Sequence, residues 1–512
     1  MKTFRLNGLA GIMLAASLIG APLATSAFAQ DTAPAVTAAP AATSEAAAPA
    51  TPTAAASTEA APAAAPAPIP DKGDTTWMMI STVLVLLMIL PGLALFYGGL
   101  VRQKNMLSML MQVGVVTVIG MIAWLFWGYS LAFTDGGGLD KFIGGTSRLF
   151  LGGVTPASNV ATFSTGVVIP EYTFIAFQMT FACITAALVL GGVAERMKFA
   201  AVVIFAVLWP LLSYYPIAHM VWWWAGPDAV AAAPKDPIQA GLLWGYGAID
   251  FAGGTVVHIN AGVAALMGAL ILGARKGFGT EPMPPHSLTL TMTGAGLLWV
   301  GWFGFNAGSN LEANGYAALA MINTFVATAA AGFSWVLTEW VMRKRASALG
   351  LASGLVAGLV AVTPAAGYAG PVGALCLGLL VSPVCVFFCT KIKNALKYDD
   401  SLDAFGIHAI GGILGAIATG FLVNPAWGGA GVVDYTTCGL DGDISTCDTA
   451  AYVMSTQVMA QIKAVAVSVC WSAIASSIVF FLIKYTIGLR PPVENEEEGL
   501  DISEHGERAY HS

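Results

Sequence analysis

Eleven apolar runs long enough to cross a bilayer follow one another almost end to end, at about 75–100, 106–133, 170–194, 199–225, 241–273, 287–308, 314–342, 349–368, 371–391, 404–424 and 453–487. In hydrocarbon each segment has to satisfy its own backbone N–H and C=O groups, so each run is expected to be a helix. The chain is 57% hydrophobic and only 10% charged, which is too little charge to cover the several soluble domains that 512 residues could otherwise form. The expected fold class is therefore an all-α polytopic membrane protein. The net charge of −7 lies partly in the acidic run Glu494–Glu498, and with no basic patch a nucleic-acid partner is excluded.

The flanks orient the spans. Arg102, Lys104, Arg196, Lys198, Arg275, Lys276, Arg343, Lys344, Arg345, Lys391, Lys393 and Lys397 fall in alternate loops, and the opposite loops carry only Lys141, Arg148 and Lys235. The positive-inside rule then puts the N-terminus outside and the C-terminus in the cytoplasm. Residues 1–29 read as a cleaved secretory signal ending at Ala27-Phe28-Ala29, with 30–72 an Ala/Pro-rich disordered tether, 73–487 the membrane domain and 488–512 a cytoplasmic tail. Cys183, Cys376, Cys385, Cys389 and Cys470 lie in apolar runs and are expected to be small core residues. Cys438 and Cys447 bracket a polar loop on the outer, oxidising side, where a disulfide is an expectation.

Ionisable groups inside spans are expensive and point to function. In the fifth run Gly254, His258 and Gly262 stand at i, i+4 and i+8, and in the tenth Ala404, His408 and Gly412 repeat that spacing, with Asp403 five residues before the histidine. The histidines are 408 − 258 = 150 residues apart, which spans five helices. Five is odd, so the halves have opposite topology. The expected fold is a 5+5 inverted repeat plus one extra helix, with a site near the midplane where one histidine from each half meets. A lone histidine on such a stripe would more often be a satisfied core residue; the pairing reverses that reading. Phe181, Trp222, Phe305 and Ser309 fall toward the outer ends of their spans, where aromatic faces around a hydroxyl suit a small cation. Trp223 and Trp224 read instead as an interfacial belt.

The motif from Asp250 through His258 to Gly262, the run Gly301–Ser309, Thr363-Pro364, and Asp399-Asp400 through His408 occur in the order typical of the ammonium transporters of the Amt/MEP/Rh family. From about residue 73 to its end, the sequence resembles that family, the bacterial Amt type in particular. The resemblance implies a homotrimer in the bacterial cytoplasmic membrane, with one pore per subunit and no cofactor. It implies recruitment of ammonium at Phe181, Trp222, Phe305 and Ser309, and a gate formed by Phe181 and Phe305. His258 and His408 then form a twin-histidine pair passing ammonia, with separate proton movement. Asp250 is implied to organise the recruitment site through backbone and hydroxyl contacts, with Thr363 as further structural support. The stretch Gly499–Glu507 resembles the family's regulatory tail, which implies control by a trimeric PII-type signalling protein. An ammonium sensor with little transport is the competing reading, and a Rh-like gas channel a third. An intramembrane enzyme is not expected, because no HExxH or GxSxG is present.

Overall fold

The computed structural model describes residues 68–438 and 447–510. The expected signal segment, and the tether up to residue 67, lie outside the described residues. Eleven described helices are long and apolar enough to cross a membrane: α1 (Lys72–Leu100), α2 (Gln103–Phe133), α3 (Glu171–Val193), α4 (Phe199–Trp222), α5 (Gly254–Leu272), α6 (Leu288–Gly308), α7 (Gly315–Arg343), α8 (Ala348–Ala365), α9 (Pro371–Leu396), α10 (Phe405–Leu422) and α11 (Met454–Thr486). Helix α1 starts inside the stretch expected to be tether, because Asp71 accepts the Asp74 N–H at 3.0 Å and caps it. Between α2 and α3 a short hairpin pairs Asn159–Ala161 with Val168–Pro170.

The largest departure from expectation is α5. Its apolar run predicts a helix from 241, but the helix begins at Gly254. Gly253 sits at φ +109, a turn that favours glycine, and the chain before it makes only the short helix Leu242–Gly245. The cysteine expectation also divides. Cys183 and Cys385 are buried, whereas Cys376 and Cys470 are exposed on α9 and α11 beside outward apolar residues such as Val372 and Ile474.

Successive spans run in alternate directions between two ends, called here the vestibule end, which carries Trp222 and Ser309, and the tail end. At the tail end a buried ion-pair network ties four connections together. Arg275 pairs with Asp399 through two nitrogens at 2.9 Å each and reaches Glu195 at 3.1 Å, and Arg102 also pairs with Glu195 at 2.7 Å. Burial alone would raise the Glu195 and Asp399 carboxyls, but the neighbouring guanidiniums hold both below the usual range. Groups depressed in the folded state stabilise it above their ordinary pKa, and that contribution is lost as pH falls through the folded values. Arg275→Leu leaves two buried carboxylates short of a partner. The purified variant should therefore lose about 3–5 kcal/mol of stability, read as a lowered thermal midpoint; an unchanged midpoint would show that the network is energetically idle.

The tail docks beside this network. Its two short helices, α12 (Val493–Glu498) and α13 (Leu500–His505), place carboxylates on the starts of two spans. Asp501 accepts the N–H groups of Leu107 and Ser108 at 3.1 and 2.8 Å, and Glu504 accepts that of Phe199 at 3.1 Å. Each carboxylate satisfies orphan donors at a helix N-terminus and meets the positive end of its dipole.

Candidate functional site

Helices α5 and α10 are built alike. The Asp250 carboxylate accepts the N–H groups of Gly253, Gly254, Thr255 and Val256 at 2.6–3.0 Å. One repeat later, at 250 + 150 = 400, Asp400 accepts those of Ala404, Phe405 and Gly406 at 3.0, 2.8 and 3.4 Å. The left-handed turn at Gly253 recurs at Asp403, φ +58, whose carboxylate pairs with Lys393 at 2.8 Å. Asp400, not Asp403, is thus the counterpart of Asp250. The four partners of Asp250 are all backbone N–H groups, so its expected hydroxyl contact is not part of this arrangement.

Each histidine sits in a wide π-turn at the start of its helix, Gly254–Ile259 and Phe405–Ala409. The expected 3.6-residue alignment therefore fails through that turn, a distortion common at functional sites. The small residues do what their spacing implied. A Cβ on Gly262 would lie 2.3 Å from the Ala409 nitrogen, and one on Gly412 would lie 3.0 Å from the Gly254 carbonyl oxygen. The two backbones can approach this closely only because those side chains are absent.

That approach brings the two imidazoles together, with Nδ1 to Nδ1 at 3.3 Å and ring centroids 5.4 Å apart. A hydrogen bond between two Nδ1 atoms needs one donor and one acceptor, so the neutral pair holds complementary tautomers. One ring then presents an Nε2–H and the other a bare Nε2. His258 Nε2 has no partner, and both side chains are almost fully buried. They line a narrow cavity of about 10 Å³ with Trp302, Phe305, Ile184 and Val257, close to the least space that holds one water-sized molecule.

An aromatic column leads from this cavity to the vestibule. Trp302 stacks on His258 at 5.3 Å, and Phe305 lies 5.9 Å from the same ring. Phe181 and Phe305 stack at 4.2 Å with 14° between planes, both fully buried. Beyond them Trp222 meets Phe181 edge-on at 5.9 Å and donates its indole N–H to the Asp250 carbonyl at 2.8 Å. The Ser309 hydroxyl donates to the Phe305 carbonyl at 2.7 Å, which leaves its oxygen free to accept. Thr363 accepts the Trp302 indole N–H at 2.9 Å, and the neighbouring Pro364 carbonyl accepts the Phe251 N–H at 3.2 Å. Thr363-Pro364 thus braces both the histidine column and the Asp250 turn.

Trp222 and Ser309 open into a cavity of about 600 Å³. Trp223 and Trp224 line it rather than forming an outward belt; Trp223 stacks on His219 at 4.9 Å and Trp224 on Trp244 at 5.2 Å. Tyr435 covers Trp224 at 4.7 Å, on a loop joined by a Cys438–Cys447 disulfide. Sequence reasoning passed over the roles of Trp302 and Asp400. The 150-residue offset, carried from the histidines to Asp250, would have found the second.

Comparison with known proteins places the chain in a family. The model of the Ammonium Transporter Family matches residues 76–510. An ammonium transporter of Aquifex aeolicus is 42% identical over 440 residues, covering 86% of this chain and 94% of its own. Among solved structures, Mep2 of Saccharomyces cerevisiae superposes with a TM-score of 0.70 at 30% identity, covering 83% of this chain and 91% of its own. A structure titled Sensor Amt Protein gives 0.71 at 26% identity, covering 85% and 98%. With a family match along most of its length and a relative this similar, the chain belongs to the Ammonium Transporter Family.

Proposed function

We propose that this chain recruits ammonium at Trp222, Phe181, Phe305 and Ser309, removes a proton near the Phe181/Phe305 gate, and conducts ammonia past His258 and His408. The observation that carries the reading is the complementary imidazole pair, buried in a cavity of about 10 Å³ beneath the stacked phenylalanines. A bare cation entering that space would lose its hydration shell with no counter-charge in contact, at a cost of several kcal/mol. Ammonium escapes the penalty by giving up a proton; potassium cannot. Above the gate the Trp222 face offers cation-π attraction, and the Ser309 oxygen accepts an N–H. The released proton passes to water and crosses the membrane by a route separate from the ammonia, and that crossing makes net transport electrogenic.

The vestibule faces outward and the tail the cytoplasm of a bacterial cell. Two features support this: the Arg102, Arg196, Arg275 and Lys104 positions at the tail end, and the Cys438–Cys447 disulfide at the other, where oxidising conditions keep it. The working form is a homotrimer, and a trimeric PII-type protein acts on the tail. The second reading, an ammonium sensor signalling through that tail, draws support from the likeness to the structure titled Sensor Amt Protein and from tail carboxylates seated on α2 and α4.

Purified protein in proteoliposomes should give a transient current after an ammonium jump and none after a potassium jump. Ammonium binding without current would move the function to the sensor, and equal currents with both ions would remove the deprotonation step.

A further inference from the structure

Helix α11 lies outside the inverted repeat, yet one of its side chains reaches the site's framework. Gln461 is 1% exposed. Its Oε1 accepts the Ile249 N–H at 2.7 Å, and its Nε2 donates to the Ile249 carbonyl at 2.7 Å and to the Ala416 carbonyl of α10 at 2.8 Å. Both amide hydrogens are used, and the amide orientation is fixed because its partners are one donor and two acceptors. One turn earlier Gln457 donates to the Gly247 carbonyl at 2.8 Å.

Ile249 immediately precedes Asp250. Its counterpart at 249 + 150 = 399 is Asp399, whose carbonyl accepts from Arg196 at 2.6 Å. Both capping turns are thus held from behind at the same carbonyl, by a guanidinium at the tail end and by a neutral amide at the vestibule end. The difference follows from location, since the vestibule end also has to admit a cation that a fixed positive charge would repel.

We propose that Gln461 is a positioning residue for transport, which clamps Ile249 in both directions and so fixes Asp250. The Asp250 carboxylate then sets the start of α5, and with it His258, while its carbonyl holds the Trp222 indole. The proposal rests on the transport reading for its functional consequence, whereas its structural consequence stands alone.

Two variants of the full chain in proteoliposomes test it. Gln461→Leu removes every bond. Gln461→Glu, when protonated, can still accept the Ile249 N–H and donate one O–H, whereas its ionised form faces two carbonyls with no donor. Hydrogen–deuterium exchange should show amide protection over 249–257 falling at least tenfold in Gln461→Leu, with 399–407 unchanged; unchanged protection over 249–257 overturns the clamp. Relative to wild type at each pH, the ammonium current of Gln461→Glu should fall at least fivefold between pH 5.5 and 8.5, while that of Gln461→Leu stays low throughout. Wild-type current in both variants, or an equal and pH-independent loss in both, overturns the positioning role. Absence of current in the wild type defeats the transport reading instead, and the exchange result still decides the clamp.

Discussion

A chain carrying His258→Glu and His408→Glu together will pass potassium. In the proposed mechanism the neutral pair excludes a permanent cation, because the cavity supplies no negative charge to replace lost water. Two carboxylates in the same place do supply it, and potassium then meets a counter-charge where it met two imidazoles 3.3 Å apart. Discrimination between ammonium and potassium should fall at least about tenfold, a change of about 1.4 kcal/mol. The measurement is the potassium-evoked current in proteoliposomes, with the single variants beside the double. Selectivity unchanged in the double variant would mean that the imidazoles do not exclude potassium, and the aromatic vestibule would become the filter.

The second large effect is at Asp250. Asp250→Ala leaves the N–H groups of Gly253, Gly254, Thr255 and Val256 without their carboxylate, and these four residues are buried. The start of α5 then relaxes, and His258, four residues on from Gly254, moves with it. A displacement of about 1 Å at a reacting centre can cost on the order of 100-fold, and the ammonium current should drop by about that factor. Asp250→Asn should fall between, because one amide oxygen still accepts while its NH₂ group faces donors. Currents from Asp250→Ala within a factor of two of wild type would show that the cap is dispensable.

What could be read from residues alone follows the physics of each signal. Apolar length reports a bilayer span directly, so eleven spans were legible, and the 150-residue offset of the histidines implied the inverted repeat now described by α1–α5 and α6–α10. The start of α5 was not legible, because residues 241–253 are apolar for a different reason: Leu243 is buried in the core and Ile249 in the vestibule wall. Hydropathy cannot separate a buried turn from a span. The π-turns were invisible to a fixed 3.6-residue period. Phe181, Trp222, Phe305 and Ser309 were chosen by residue type and resemblance, and they do converge. Gln461 carries no local signal, since a glutamine in an apolar helix shows its purpose only when Ile249 folds against it.

The repeat has one more consequence. With α5 and α10 starting at opposite ends, the two histidines are equivalent in the repeat yet differ in their surroundings: Trp302 and Phe305 stand over His258 on the vestibule side, whereas the ring packed on His408 is that of His258 itself. The pair therefore has a polarity, and a small molecule coming from the vestibule meets its aromatic side first. The two ends differ as well, with tryptophan faces at one and an arginine–carboxylate lattice at the other.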